Sequence, residues 1–136
     1  YVVLGRQHAG HINAGLAYLP GGFIDGRDVA ASGEIDIRAS IARELAEETG
    51  LGPAEIMPDP GFLLTEVAAH VSFAVTYRSH FTADALAARI RAHIAADPDP
   101  ELSDVVIVKG PDDIAHLAMP HYARVLVASP LVWPGA

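Results

Sequence analysis

Cysteine is absent from the chain, which excludes a disulfide framework, a thiolate metal site and a cysteine nucleophile. That absence fits a reducing cytoplasm. Basic residues are few: nine lysines and arginines stand against 17 aspartates and glutamates, for a formal net charge of -8. A general nucleic-acid binder needs a lysine and arginine footprint for the phosphate backbone, so that class is excluded. Small anionic ligands remain open if a cation mediates. Long apolar runs are missing as well. None reaches the roughly 18 to 20 residues of a membrane span, and no basic segment leads into an apolar one at the start. A soluble protein without a membrane partner is expected.

What is present is 136 residues, 51% of them hydrophobic, enough for one domain with a real core. A single domain over residues 1–136 is expected. The chain opens at Tyr1 inside an apolar run, "YVVLGRQ", so residues upstream of it are expected too. Repeats, linkers and low-complexity segments are lacking.

Tyr1 to Gly5 reads as a strand, "HAGHINAG" as a loop, and Leu16 to Leu19 as a second strand. "PGGFIDGRDVAASGE" is turn-rich, with a strand pair expected around Phe23 and Ile24. A long helix follows, with Asp36 as N-cap, Ile37, Ile41 and Leu45 at four-residue spacing, and Gly50 at the left-handed C-terminal cap. "GFLLTEVAA" and "VSFAVTYRSHF" read as two strands paired across a turn near His70. Thr82 to Ala96 reads as a second helix ended by "DPDP". Val105 to Val108 is a buried strand, and "PHYARVLVA" a closing helix with Pro120 at its first turn. Strands interleaved with three helices point to a layered α/β domain.

The densest signal is "RELAEETGL", Arg43 to Leu51. At about 100 degrees per residue, Glu44, Glu47 and Glu48 share one helical stripe. Each like-charge pair at this spacing costs roughly 0.2 to 0.5 kcal/mol, so the crowding calls for a compensating cation. A hard dication such as Mg²⁺ takes carboxylate oxygens and keeps positions for water and phosphate. A solvated acidic face, partly neutralised by Arg38 and Arg43, is the alternative reading of these residues alone.

Together, "PGGFID" and a helix ending "RELAEETGL" resemble the Nudix hydrolase family, whose box reads G, five residues, E, seven residues, then R-E-U-x-E-E-x-G-U with U apolar. Arg43, Glu44, Leu45, Glu47, Glu48, Gly50 and Leu51 match every specified position of the second half. The resemblance implies an α/β/α sandwich with a mixed central sheet. It also implies a Mg²⁺- or Mn²⁺-dependent pyrophosphohydrolase acting on a nucleoside diphosphate linked to another group. Metal ligands would be Glu44, Glu47, Glu48 and the Gly21 carbonyl, with Glu101 as an additional acid ahead of the last strand. Glu44 and Glu47 would be catalytic, with Arg43 orienting a glutamate. Gly22, His11 and Glu34 would contact a small nucleotide-type substrate. Dimers are common in such proteins, so a homodimer belongs to the expectation.

The first half departs from the pattern. Arg43 lies 21 positions beyond Gly22 (43 minus 22), where the family box has 14, so seven residues are extra. Counted back from Arg43, the first glutamate falls on Ile35, flanked by Glu34 and Asp36. The interrupted box raises a rival reading, a non-catalytic nucleotide sensor. Of the remaining residues, His8 and His11 form an H-x-x-H pair, but in a loop, so no zinc site is read there. Thr65, Glu66 and Tyr77 would line a cleft or pack a sheet, and Arg89 and Arg91 would meet a phosphate or simply solvent. A proline about fifteen residues past the box, associated in the family with ADP-ribose hydrolysis, has no counterpart in "TEVAA".

Overall fold

The structure, a computed structural model, describes residues 1–133; the last residues of the expected domain, 134–136, lie outside it. Eleven elements follow in chain order: β1 (Val2–Gln7), β2 (Ala17–Tyr18), α1 (Ile37–Thr49), β3 (Ile56–Pro58), β4 (Leu63–Val67), β5 (His70–Ala74), β6 (Tyr77–Ser79), α2 (Ala83–Ala96), β7 (Leu102–Val108), α3 (Pro111–Ile114) and α4 (His121–Ala128). No described helix is long and apolar enough to cross a membrane.

β1 is the centre of the main sheet, antiparallel to β7 from Val2 opposite Val108 and to β2 at Gly5 opposite Tyr18. Side chains alternate across a strand, so Leu4 and Val108 enter one core with Ile114, Val127 and Trp133 from the C-terminal helices and the turn after them. Val3 and Val105 face the other way, into a second core with Ala87 and Ile90 of α2. A register shift beside Arg6 and Gln7 turns Leu102 into that second core as well. Helices thus cover both faces of the sheet. Each fully buried aliphatic side chain contributes about 1.5–3 kcal/mol, and this double burial anchors the strands that carry the site.

The α/β class is as expected, but the mixed sheet is not what forms among the described residues. All ladders are antiparallel, in three groups: β2-β1-β7, β3-β6 and β4-β5. The β4–β5 hairpin turns over Ala68 and Ala69, a connection too short for a parallel pair. The two helical crossovers deliver β3 to β6 and β7 to β1, again antiparallel. The expected single strand "VSFAVTYRSHF" splits at Val75 and Thr76 because its halves have different partners, β4 and β3. No strand pair forms at Phe23 and Ile24; Asp25 instead caps a 3₁₀ turn over Gly26–Asp28. β2 is shorter than Leu16 to Leu19, since Pro20 has no N–H to extend a ladder. The one-turn α3 and the short β3, with its Met-Pro-Asp-Pro sequence, carry too little periodicity to be read in advance.

Helix α1 begins and ends as its sequence dictates. The Asp36 carboxylate accepts from the Ala39 N–H at 2.9 Å, a cap of about 1 kcal/mol. Gly50 closes the helix at φ 70°, a left-handed position that favours glycine. There α2 braces it: Arg89 donates to the Gly50 carbonyl at 2.9 Å, and the His93 ring meets the Glu47 carbonyl at 2.9 Å. Arg89 and Arg91 are otherwise engaged by Glu55 and Asp104, so both serve packing rather than a phosphate.

Candidate active site

The acidic stripe of α1 faces the turn after β2. Glu48 is buried, 5% exposed, and both of its oxygens are held: the Tyr18 hydroxyl donates to Oε2, and the Gly21 N–H to Oε1 at 2.7 Å. One helical turn earlier, the Glu44 carboxylate packs on Gly22. A Cβ there would stand 2.6 Å from Glu44 Oε2 and 2.8 Å from its Cδ, so glycine is what lets the chain pass so close.

Arg43 binds the cluster from the other side. Its guanidinium donates to Glu44 Oε1 at 2.9 Å and to Asp28 Oδ1 at 2.8 Å, and lies 3.8 Å from Glu47. These hydrogen bonds, to Glu44 first and then Asp28, raise the Arg43 pKa further above its usual range. Asp28 also accepts from the Asp25 N–H at 2.8 Å; that bond and then Arg43 hold its carboxyl down to about 2.

Asp28 is the residue that counting back from Arg43 misses. Counted forward from Gly22, five residues intervene and the next is Asp28, the position of the first box glutamate. The extra seven residues therefore come after it, as Val29 to Ile35. They leave and rejoin at an antiparallel bridge between Val29 and Ile35, closed by Ala30 N–H to Glu34 O at 2.8 Å. All seven are exposed. The insertion pinches off as a small hairpin, and the box geometry closes beneath it. Neither Glu34 nor Asp36 takes the place of the first glutamate: Glu34 accepts from Ser32 in the hairpin, and Asp36 caps α1. Glu34, proposed for substrate contact, thus stands on the insertion rather than on the Arg43 cluster.

Glu101 approaches from β7. The His8 N–H donates to its carbonyl at 2.8 Å, tying the loop after β1 to the start of β7, and its charge is felt by Glu48 and Tyr18. Burial pushes the Glu48 carboxyl up to about 7; the bonds from Tyr18 and Gly21 oppose this, and the charges of Glu101 and Glu44 add to it. Burial and the Glu48 bond raise Tyr18 in turn. His8 turns its ring to the Ala9 carbonyl, while His11, Gly21, Gly22, Glu44 and Glu101 line a cleft of about 1290 Å³. Tyr77 also lines that cleft, whereas Glu66 is exposed on β4.

The structure thus brings Glu44, Glu48, Gly21, Gly22, Arg43 and Glu101 together. Glu47 is on the rim, its side chain 60% exposed. Among the described residues no group of three or more His, Asp or Glu side chains is already drawn into a metal cluster. The donor set nonetheless fits a hard dication. Its donors are oxygens, they repel one another across Glu48, and each Glu48 oxygen with one hydrogen bond keeps a lone pair free.

No curated protein and no solved structure matches the chain. The NUDIX domain family model does, over residues 1–127. The family comprises hydrolases of diphosphate linkages in nucleoside diphosphate derivatives, which generally use divalent ions such as Mg²⁺. A match across most of the chain, converging with an Arg43 cluster whose missing acid is restored by the fold, places this protein in the Nudix family.

Proposed function

We propose that the protein hydrolyses the phosphoanhydride of a nucleoside diphosphate linked to another group, with Mg²⁺ or Mn²⁺ held by Glu44, Glu47 and Glu48 and supported by the Gly21 carbonyl and Glu101. The observation that carries this reading is the Arg43 cluster: an insertion interrupts the box, yet Asp28, Glu44 and Glu47 all converge on one guanidinium. A merely solvated acidic face would not require that. The bound ion would polarise a phosphoryl oxygen and ease deprotonation of an attacking water.

The chain's own residues do the rest. Arg43 fixes the orientation of Glu44 and draws on Glu47, the two carboxylates assigned to catalysis. Glu48, held by the Tyr18 hydroxyl and the Gly21 N–H, offers the ion a carboxylate at the buried end of the stripe. Gly22 lets the diphosphate approach the helix, and His11, which lines the cleft, contacts the substrate; Glu34, on the exposed insertion, reaches it only if that hairpin folds over the mouth. The cleft exceeds the roughly 300 to 1,000 Å³ of common ligand pockets, and Phe73, Tyr77 and Phe81 are among the residues that line it, giving it apolar surface for a base to pack on.

The test is incubation with Mg²⁺ and a panel of nucleoside triphosphates, nucleotide sugars, dinucleoside polyphosphates and coenzyme A, with products identified by mass spectrometry. Glu47→Gln and Glu48→Gln are each expected to lower turnover by about 100-fold or more. Unchanged turnover in both variants refutes the assignment. Tight nucleotide binding without turnover in the wild type transfers the site to a sensor.

A further inference from the structure

Resting on the function proposed above, we infer that Tyr18 is a positioning residue for the metal-binding carboxylates: its hydroxyl holds Glu48 in place against its acidic neighbours and so sets how tightly the cluster binds a dication.

Tyr18 is 2% exposed, and its ring packs among Leu51, Ala87, Ile90, Leu102 and Val105. A phenylalanine would fill that space equally, so packing does not call for the hydroxyl. A buried polar group needs a partner, and this one has Glu48. The second donor, the Gly21 N–H, comes from the same four-residue segment, residues 18–21. That segment is itself anchored: Tyr18 pairs with Gly5 of β1, and the Ala17 N–H donates to the Ala118 carbonyl at 2.9 Å. Two donors on a rigid base therefore grip one carboxylate on both oxygens.

The grip works against a force. Glu44, on the same helical stripe, and Glu101, from β7, both repel Glu48. Without the Tyr18 hydroxyl, Oε2 loses its donor while the repulsion remains, and the side chain is free to turn away from the cluster. With it, Glu48 presents a fixed free lone pair on each oxygen. Partners that orient a metal ligand in this way typically change affinity by about 10–100-fold when removed.

Tyr18→Phe, compared with wild type by Mn²⁺ calorimetry well below the unfolding temperature, is expected to raise the Mn²⁺ Kd by at least about 10-fold with an unchanged circular dichroism spectrum. A purely structural role would change thermal stability and leave Kd alone, and a folded variant with wild-type Kd overturns the inference. If the variant does not fold, 3-fluorotyrosine placed at position 18 in the wild-type fold supplies the answer. Its more acidic hydroxyl alters the bond to Glu48 without removing the ring, so a changed Mn²⁺ Kd is expected, and a Kd equal to that of the unsubstituted protein overturns the inference. Wild-type protein that binds no Mn²⁺ refutes the metal reading itself. Mn²⁺ binding that is lost in Glu48→Gln but intact in Tyr18→Phe refutes only the role of Tyr18.

Discussion

Glu48→Gln, introduced into the metal-free protein, is expected to stabilise it at alkaline pH. Burial raises the Glu48 pKa from 4.5 to about 7 in the folded state, so the fold binds the neutral acid more tightly than the carboxylate. The stability associated with protonated Glu48 is complete below pH 4.5 and is lost as pH rises through about 7. At about 1.4 kcal/mol per pH unit, that span costs wild type about 3 kcal/mol by pH 8. The amide carries no charge to desolvate. Its oxygen would accept from the Gly21 N–H, and its NH₂ would donate to the Tyr18 hydroxyl oxygen, which rotates to suit. Urea denaturation in EDTA at pH 4.5 and pH 8 measures the difference. Glu48→Gln should match wild type at the lower pH and exceed it by about 2–3 kcal/mol at the higher. A difference that does not change with pH would falsify the assignment of Glu48 as a carboxylate ionised at the expense of the fold. The same substitution should abolish most turnover, so stability and activity move in opposite directions, as expected of a group kept for chemistry.

Two further perturbations probe how the site is built. Gly22→Ala should displace the Glu44 carboxylate rather than the backbone, because the added Cβ would meet its tip at 2.6 Å, and that movement breaks its bond to Arg43; Mn²⁺ affinity by calorimetry falls and the urea midpoint drops slightly, and unchanged affinity would contradict the packing described. Deleting residues 29–35 should leave a folded protein that still binds Mn²⁺. The bridge between Val29 and Ile35 brings the two sides of the insertion together next to Asp28 and Asp36, the residues the deletion joins. Loss of folding in the deletion would show that the hairpin supports the fold.

Much of α1 is legible in sequence because its signals are local. The Asp36 cap, the apolar spacing of Ile37, Ile41 and Leu45, and the Gly50 stop each act within a few residues, and the helix runs between them as read. The convergence of Glu44 and Glu48 on one side follows from helical geometry alone. Asp28 was legible in principle, by counting forward from Gly22, but the place of an insertion within a motif cannot be ranked without knowing where the chain pinches together. That is a long-range fact, decided by the Val29–Ile35 bridge and the Arg43 contact.

By itself the sequence determined that the chain is acidic and free of thiols, that its elements alternate as in an α/β domain, and that three carboxylates and an arginine share a helical end beside a glycine turn. Only the tertiary structure decided which acid completes the Arg43 cluster, that the sheet pieces pair antiparallel, and that Tyr18 grips Glu48. Periodicity and caps report forces between neighbours in the chain, whereas burial, desolvation and the pairing of charges distant in sequence exist only once the chain has folded.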